Sequence, residues 1–206
     1  MVRFQADALM KAQTALEKIW TLATPYYEKA RPFDLQHVKW MADIAWKVCE
    51  AEELDPMILQ TAAALHDIGY SGIDSHDYRS PTVKIRHMQR GVRIAGRILQ
   101  KTNFPGEKML EVLAIIGEHD DWALGIDDVY REDKMVAVLG DLDFLYLATN
   151  EGFEIVRKDM GKTHQEMITF LKTNEKHTKR PWATKTTQAL FEQYLQEREK
   201  DIAIVG

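Results

Sequence analysis

An apolar run in the sequence ends on an imidazole beside a carboxylate: Ala62-Ala63-Ala64-Leu65-His66-Asp67-Ile68-Gly69-Tyr70. Burying a polar group without a partner costs roughly 2–7 kcal/mol even when it is neutral. An apolar helix that finishes on both groups therefore calls for a compensating charge. Four other stretches repeat the oddity. His37 is in line with Met41, Ile44, Ala45 and Val48, and His87 with Gly91, Ile94, Ala95 and Ile98. His119 groups with Val112, Ile115 and Ile116, and Asp141 with Ala137, Val138, Leu145 and Ala148. One histidine on an apolar stripe is ordinarily a hydrogen-bonded core residue. Five such stretches in one chain are hard to bury without a shared cation, and imidazole with carboxylate is a donor set that first-row divalent metals accept. The single cysteine, Cys49, excludes an intramolecular disulfide and a Cys-rich zinc site.

Helices are the elements that would carry these groups. Apolar residues recur at helical spacing over about 1–23, 35–51, 56–67, 82–101, 107–119, 134–149, 153–172 and 184–200, with no β-type alternation. Pro25 and Pro32 should break the first pattern. Asp34 is a plausible N-cap, Asp55-Pro56 a stronger start signal, and Gly69 a stop. The run from Pro56 has almost no polar face and should be the most buried helix. Polar loops over 71–81, which holds His76, and 120–133 have the composition of segments that cover a site. The expectation is an all-α fold in one domain spanning residues 1–206.

Composition narrows the partners. A net charge of −5 gives no general attraction to nucleic acid or to an anionic membrane. No apolar run approaches the roughly 18 residues that span a bilayer, and the N-terminus lacks a signal-peptide core, so a cytoplasmic protein is expected. Residues 82–101 nevertheless hold Lys84, Arg86, Arg90, Arg93, Arg97 and Lys101 with no acidic residue. Guanidinium forks suit phosphate oxygens. Arg86, Arg90 and Lys84, nearest to His87, are the expected substrate-binding cations. His164 and His177 fall in polar sequence and read as surface residues.

The order His37, His66-Asp67, then Asp141 on a late apolar helix resembles the HD-domain superfamily of metal-dependent phosphohydrolases. Ala64-Leu65-His66-Asp67-Ile68-Gly69 is close to its signature block, and Val136-Ala137-Val138-Leu139-Gly140-Asp141 looks like its final ligand helix. The likeness covers roughly residues 34–148, leaving an N-terminal helix and a C-terminal helical extension outside a multi-helix HD-type bundle. It implies His37, His66, Asp67 and Asp141 as metal ligands, with His87 and His119 in the places of the two-metal branch and Asp67 as the bridging, catalytic carboxylate. One or two divalent transition metals (iron, manganese, nickel, cobalt or zinc) would then activate water for attack on phosphorus. Tyr70 stands where the cyclic-dinucleotide-cleaving branch commonly has lysine, and His119-Asp120 where it usually has paired histidines, so that substrate is unlike this chain's. Asp120 is a possible substitute ligand. The implied activity is hydrolysis of a small phosphorylated metabolite or nucleotide, by a chain that could form a homo-oligomer. The alternatives are a di-iron HD-type oxygenase cleaving a C–C or C–P bond, which uses the same kind of ligand set, and a non-catalytic ligand-binding HD module.

Overall fold

The computed structural model of the chain describes residues 2–31, 33–73, 77–126 and 128–205. His76 lies outside them, as does the side chain of His177. Every regular element among the described residues is helical: α1 (Val2–Tyr27), α2 (Asp34–Glu52), α3 (Pro56–Leu65), α4 (Pro81–Lys101), α5 (Gly106–Glu118), α6 (Asp128–Glu132), α7 (Lys134–Tyr146), α8 (Asn150–Asp159), α9 (His164–Thr173), α10 (Glu175–Lys179) and α11 (Lys185–Val205). The fold is an all-α bundle, and among the described residues no helix is long and apolar enough to cross a membrane.

α3 is central, as its lack of a polar face requires. Ile58 through Leu65 are all buried, and the helix packs against α1, α2, α5 and α7. Asp55 caps it, its Oδ1 accepting from the Met57 N–H at 2.9 Å, with Pro56 at the first helical position. Ser80 and Pro81 start α4 in the same way. A second apolar cluster joins α7, α8, α9 and α11 through Phe144, Phe153, Met167, Leu171 and Phe191.

Three local expectations are corrected. α1 continues through Pro25 to Tyr27; a proline in the last turn removes one ladder bond, and the Tyr27 hydroxyl anchors that end by donating to the Ala64 carbonyl at 2.8 Å. Asp34 is the first residue of α2 rather than its cap, and its carboxylate turns back to accept from the Arg31 N–H at 3.1 Å and Nε at 2.7 Å. Gly69 does not end a helix by a left-handed backbone. α3 stops at Leu65, and a tight turn over Ile68–Tyr70 lies against α4 so closely that a Cβ on Gly69 would sit 1.8 Å from the His87 carbonyl oxygen. Only glycine permits that approach, which is what brings His66-Asp67 up to His87.

Candidate metal centre

Three helices and two turns deliver donors to one point. His37 comes from α2, His66 and Asp67 from the end of α3, His87 from α4, His119 and Asp120 from the residues just past α5, and Asp143 from α7. Asp67 is at the middle. Its Oδ2 lies 3.4 Å from His66 Nε2 and 3.7 Å from His37 Nδ1, while its Oδ1 lies 3.6 Å from both His87 Nε2 and His119 Nε2. On one side, Asp143 Oδ1 is 3.1 Å from His37 Nε2 and 4.0 Å from His66 Nε2. On the other, the Nε2 atoms of His87 and His119 are 3.1 Å apart, and Asp120 Oδ2 is 3.6 Å from His87. The donors fall into three overlapping sets: His37, His66 and Asp143; His66, Asp67 and His119; His87, His119 and Asp120.

The backbone sets which ring nitrogen is presented. His66 Nδ1 sits 2.9 Å from the Ala63 carbonyl and His119 Nδ1 2.8 Å from that of Ile116. A carbonyl can only accept, so each Nδ1 carries the proton and each Nε2 keeps its lone pair for the centre. His66 is fully buried and its Nε2 has no hydrogen-bond partner among the described residues. Leaving such an acceptor unsatisfied costs about 1–3 kcal/mol. A cation between these atoms removes that cost, and donor separations near 3 Å are about what bonds of roughly 2.1 Å to one ion produce. The residues present fit a metal.

Electrostatics agree with the geometry. Burial alone would raise the Asp67 carboxyl, but its neighbours, the His66 imidazole foremost and then the Arg31 guanidinium, hold it well below the usual carboxylate range. Asp143 is likewise held down against burial by His37 and His66. His37 is raised to about 9, because Asp143 and Asp67 outweigh its burial. Burial, with His119 next to it, pushes His87 down to about 3, so this imidazole is neutral and keeps a lone pair.

A cavity of about 400 Å³ opens onto these donors. Its walls include the polar groups of Asp67, Asp120, Asp143, Arg31 and Lys84 and the rings of Tyr78, Trp122, Tyr146 and Phe170.

The matching sequence model is that of the HD domain, over residues 34–144, more than half of the chain. The chain belongs to the HD-domain superfamily. No curated protein and no solved structure matches it. HD domains bind divalent metals, and this one carries the His/Asp clusters to do so.

Within this HD domain, His37, His66, Asp67, His87 and His119 come together, and Asp141 does not. Its Oδ2 accepts from the Ala183 N–H at 2.8 Å and the Thr187 hydroxyl at 2.7 Å, on the other face of α7. Two residues further on, about 200° round the helix, Asp143 takes the place expected of Asp141. Of the three expected substrate-binding cations only Lys84 reaches the cavity, with Nζ 2.7 Å from Asp120 Oδ2. Arg86 is exposed on α4, and Arg90 uses its Nε to hold the Ser71 carbonyl at 2.7 Å. His164 is at the surface, 2.9 Å from Glu154.

One further residue of the HD site is silent in the sequence. Arg31, in the α1–α2 connection, donates from Nη2 to Asp67 Oδ2 at 2.6 Å and from Nε to Asp34 Oδ1 at 2.7 Å. Its guanidinium lies 3.7 Å from the centroid of the Tyr70 ring, and the His87 ring stacks on Tyr70 at 4.1 Å. Two groups that near cannot share one face, so Tyr70 sits between them and fixes the plane of His87.

Proposed function

We propose that this HD-domain chain is a metal-dependent phosphohydrolase acting on a small phosphate ester of nucleotide size. The observation that carries the reading is Asp67, whose two oxygens each face a separate group of histidine nitrogens within 3.4–3.7 Å. His37, His66 and Asp143 would hold one ion, His87, His119 and Asp120 or open positions the other, with Asp67 between them. Bound there, the metals would supply Lewis acidity and water activated near neutral pH.

The remaining work falls to the protein's own residues. Around the centre four carboxylates (Asp34, Asp67, Asp120 and Asp143) face two permanent cations (Arg31 and Lys84). Without metal such a pocket repels a phosphate; two divalent ions would reverse its sign. Lys84 Nζ, within the cavity, can donate to a phosphoryl oxygen. Arg31 orients Asp67 through a charge-assisted bond. The aromatic rings of Tyr78, Trp122 and Phe170 in the cavity wall suit the organic part of an ester.

A panel of nucleoside monophosphates and p-nitrophenyl phosphate, run with and without oxygen on metal-loaded and chelator-treated protein, tests the reading. Oxygen-independent phosphate release that stops on chelation is the expected result. Oxygen consumption with no phosphate release would replace it with the oxygenase chemistry. Saturable ligand binding without turnover under any condition would leave a binding module.

A further inference from the structure

Across α7 from the metal centre lies a second cavity, of about 420 Å³. The two carboxylates of α7 divide between them: Asp143 lines the first and Asp141 the second. The second cavity also has Lys176 of α10, Arg131 of α6, Lys134 of α7, and the rings of Tyr130 and Trp182.

Lys176 is the unexpected member. The residue is 4 % exposed, and its Nζ has no hydrogen-bond partner among the described residues, with the Phe144 ring centroid 5.1 Å away. Burying an ammonium costs several kcal/mol unless something answers its charge. Asp141 acts on it from a distance, but the Asp141 Oδ2 is already engaged with Ala183 and Thr187. Burial pulls Lys176 down to about 8, which still leaves it mostly charged at neutral pH. Arg131 and Lys134 are exposed at the rim, and Arg180 lies over the Trp122 and Tyr130 rings. The cavity walls set four cations against two carboxylates, Asp141 and Glu132, and Glu52 answers one of the four, Lys134, from outside the walls at 3.5 Å. The positive excess that remains suits a phosphate group, and the adjoining rings match an aromatic or heterocyclic body.

We propose that this cavity is a second ligand site, for a small organic phosphate whose phosphoryl oxygens meet Lys176 and whose ring lies against Tyr130 and Trp182. It has its own walls, and it adjoins the metal centre through α7, through the Tyr130 hydroxyl that donates to the His119 carbonyl, and through Arg180 on the Trp122 ring. Its cations come from α6, α7 and α10 and from Arg180 just past α10, and none of the metal-centre donors is among its walls.

Calorimetric titration of the full chain with phenylphosphonate, whose C–P bond resists hydrolysis, tests the site, with inorganic phosphate as the second probe. Wild type is expected to bind phenylphosphonate with a Kd of about 1 mM or tighter, and inorganic phosphate about tenfold more weakly for want of the ring. Lys176→Met should lose at least about tenfold of that affinity, and Arg131→Gln, a change at the exposed rim, a smaller part of it. Lys84→Gln, in the other cavity, should retain the binding. Lys176→Met should also unfold at a higher temperature than wild type, because a buried ammonium gives way to an apolar chain of similar length. Equal binding of the two probes would reduce the site to one for free phosphate and remove the aromatic half of the proposal. Unchanged binding by both Lys176→Met and Arg131→Gln, loss in Lys84→Gln alone, or no saturable wild-type binding below about 10 mM would overturn it.

Discussion

Asp143→Ala is expected to strip metal from the His37/His66 side of the centre, while Asp141→Ala keeps the full metal complement and loses stability instead. The two residues are two apart on one helix, yet they face different surroundings. Asp143 Oδ1 stands 3.1 Å from His37 Nε2 and shares a donor set with His66. Removing it should weaken metal binding by more than the about 10–100-fold that follows loss of an outer partner. Among the described residues, Asp141 accepts from the Ala183 N–H and the Thr187 hydroxyl. Its loss leaves buried donors without an acceptor, at about 1–3 kcal/mol for each unsatisfied group. Elemental analysis together with thermal unfolding of both variants separates these outcomes. Metal loss in Asp141→Ala with retention in Asp143→Ala would restore Asp141 as the ligand.

Arg31→Met should be the most destabilising single change near the site, by about 3–5 kcal/mol in metal-free protein, because it abandons two buried carboxylates at once. Arg31 bonds both Asp34 Oδ1 and Asp67 Oδ2. Metal loading should recover part of the loss, since a cation at Asp67 replaces one of the two charges removed. The pH dependence has a definite sign. Burial raises Asp34 from 3.8 to about 6, even though Arg31 lowers it. A carboxylate raised on folding contributes stability below its unfolded pKa and loses that contribution as pH rises through the folded value. Without Arg31 the Asp34 carboxyl rises further, so the deficit of Arg31→Met should be smallest below about pH 4 and grow as pH passes about 6. Denaturant unfolding of wild type and variant across that range measures it. A deficit that is flat with pH and indifferent to metal would mean that Arg31 serves only to pack on Tyr70.

Much of the bundle can be read from the sequence because burial leaves periodic marks. α3 is apolar all round and turns out to be central, while Asp55-Pro56 starts it by a local bond that needs no tertiary information. His37, His66, His87 and His119 each interrupt an apolar stripe, so helical phase alone points them inwards. The same logic fails on α7, where Val136 through Leu142 and Phe144 through Tyr146 are all buried. A helix covered on every side has no polar face to fix its phase, so the stripe cannot choose between Asp141 and Asp143. Arg31 is invisible for another reason: it lies 36 residues from Asp67 in a connection without periodicity. Arg86 is next to His87 in sequence but about 100° round the helix and exposed, while Arg90, one turn after His87, is taken up by the Ser71 carbonyl. Lys84, one turn before His87, does reach the cavity.

Metal content per chain of wild type and Asp67→Ala, purified anaerobically and analysed by mass spectrometry of the elements, bears most directly on a centre bridged by Asp67. The expected result is close to two transition-metal ions per wild-type chain and loss of both from a folded Asp67→Ala protein. An Asp67→Ala protein that keeps the wild-type complement would contradict it.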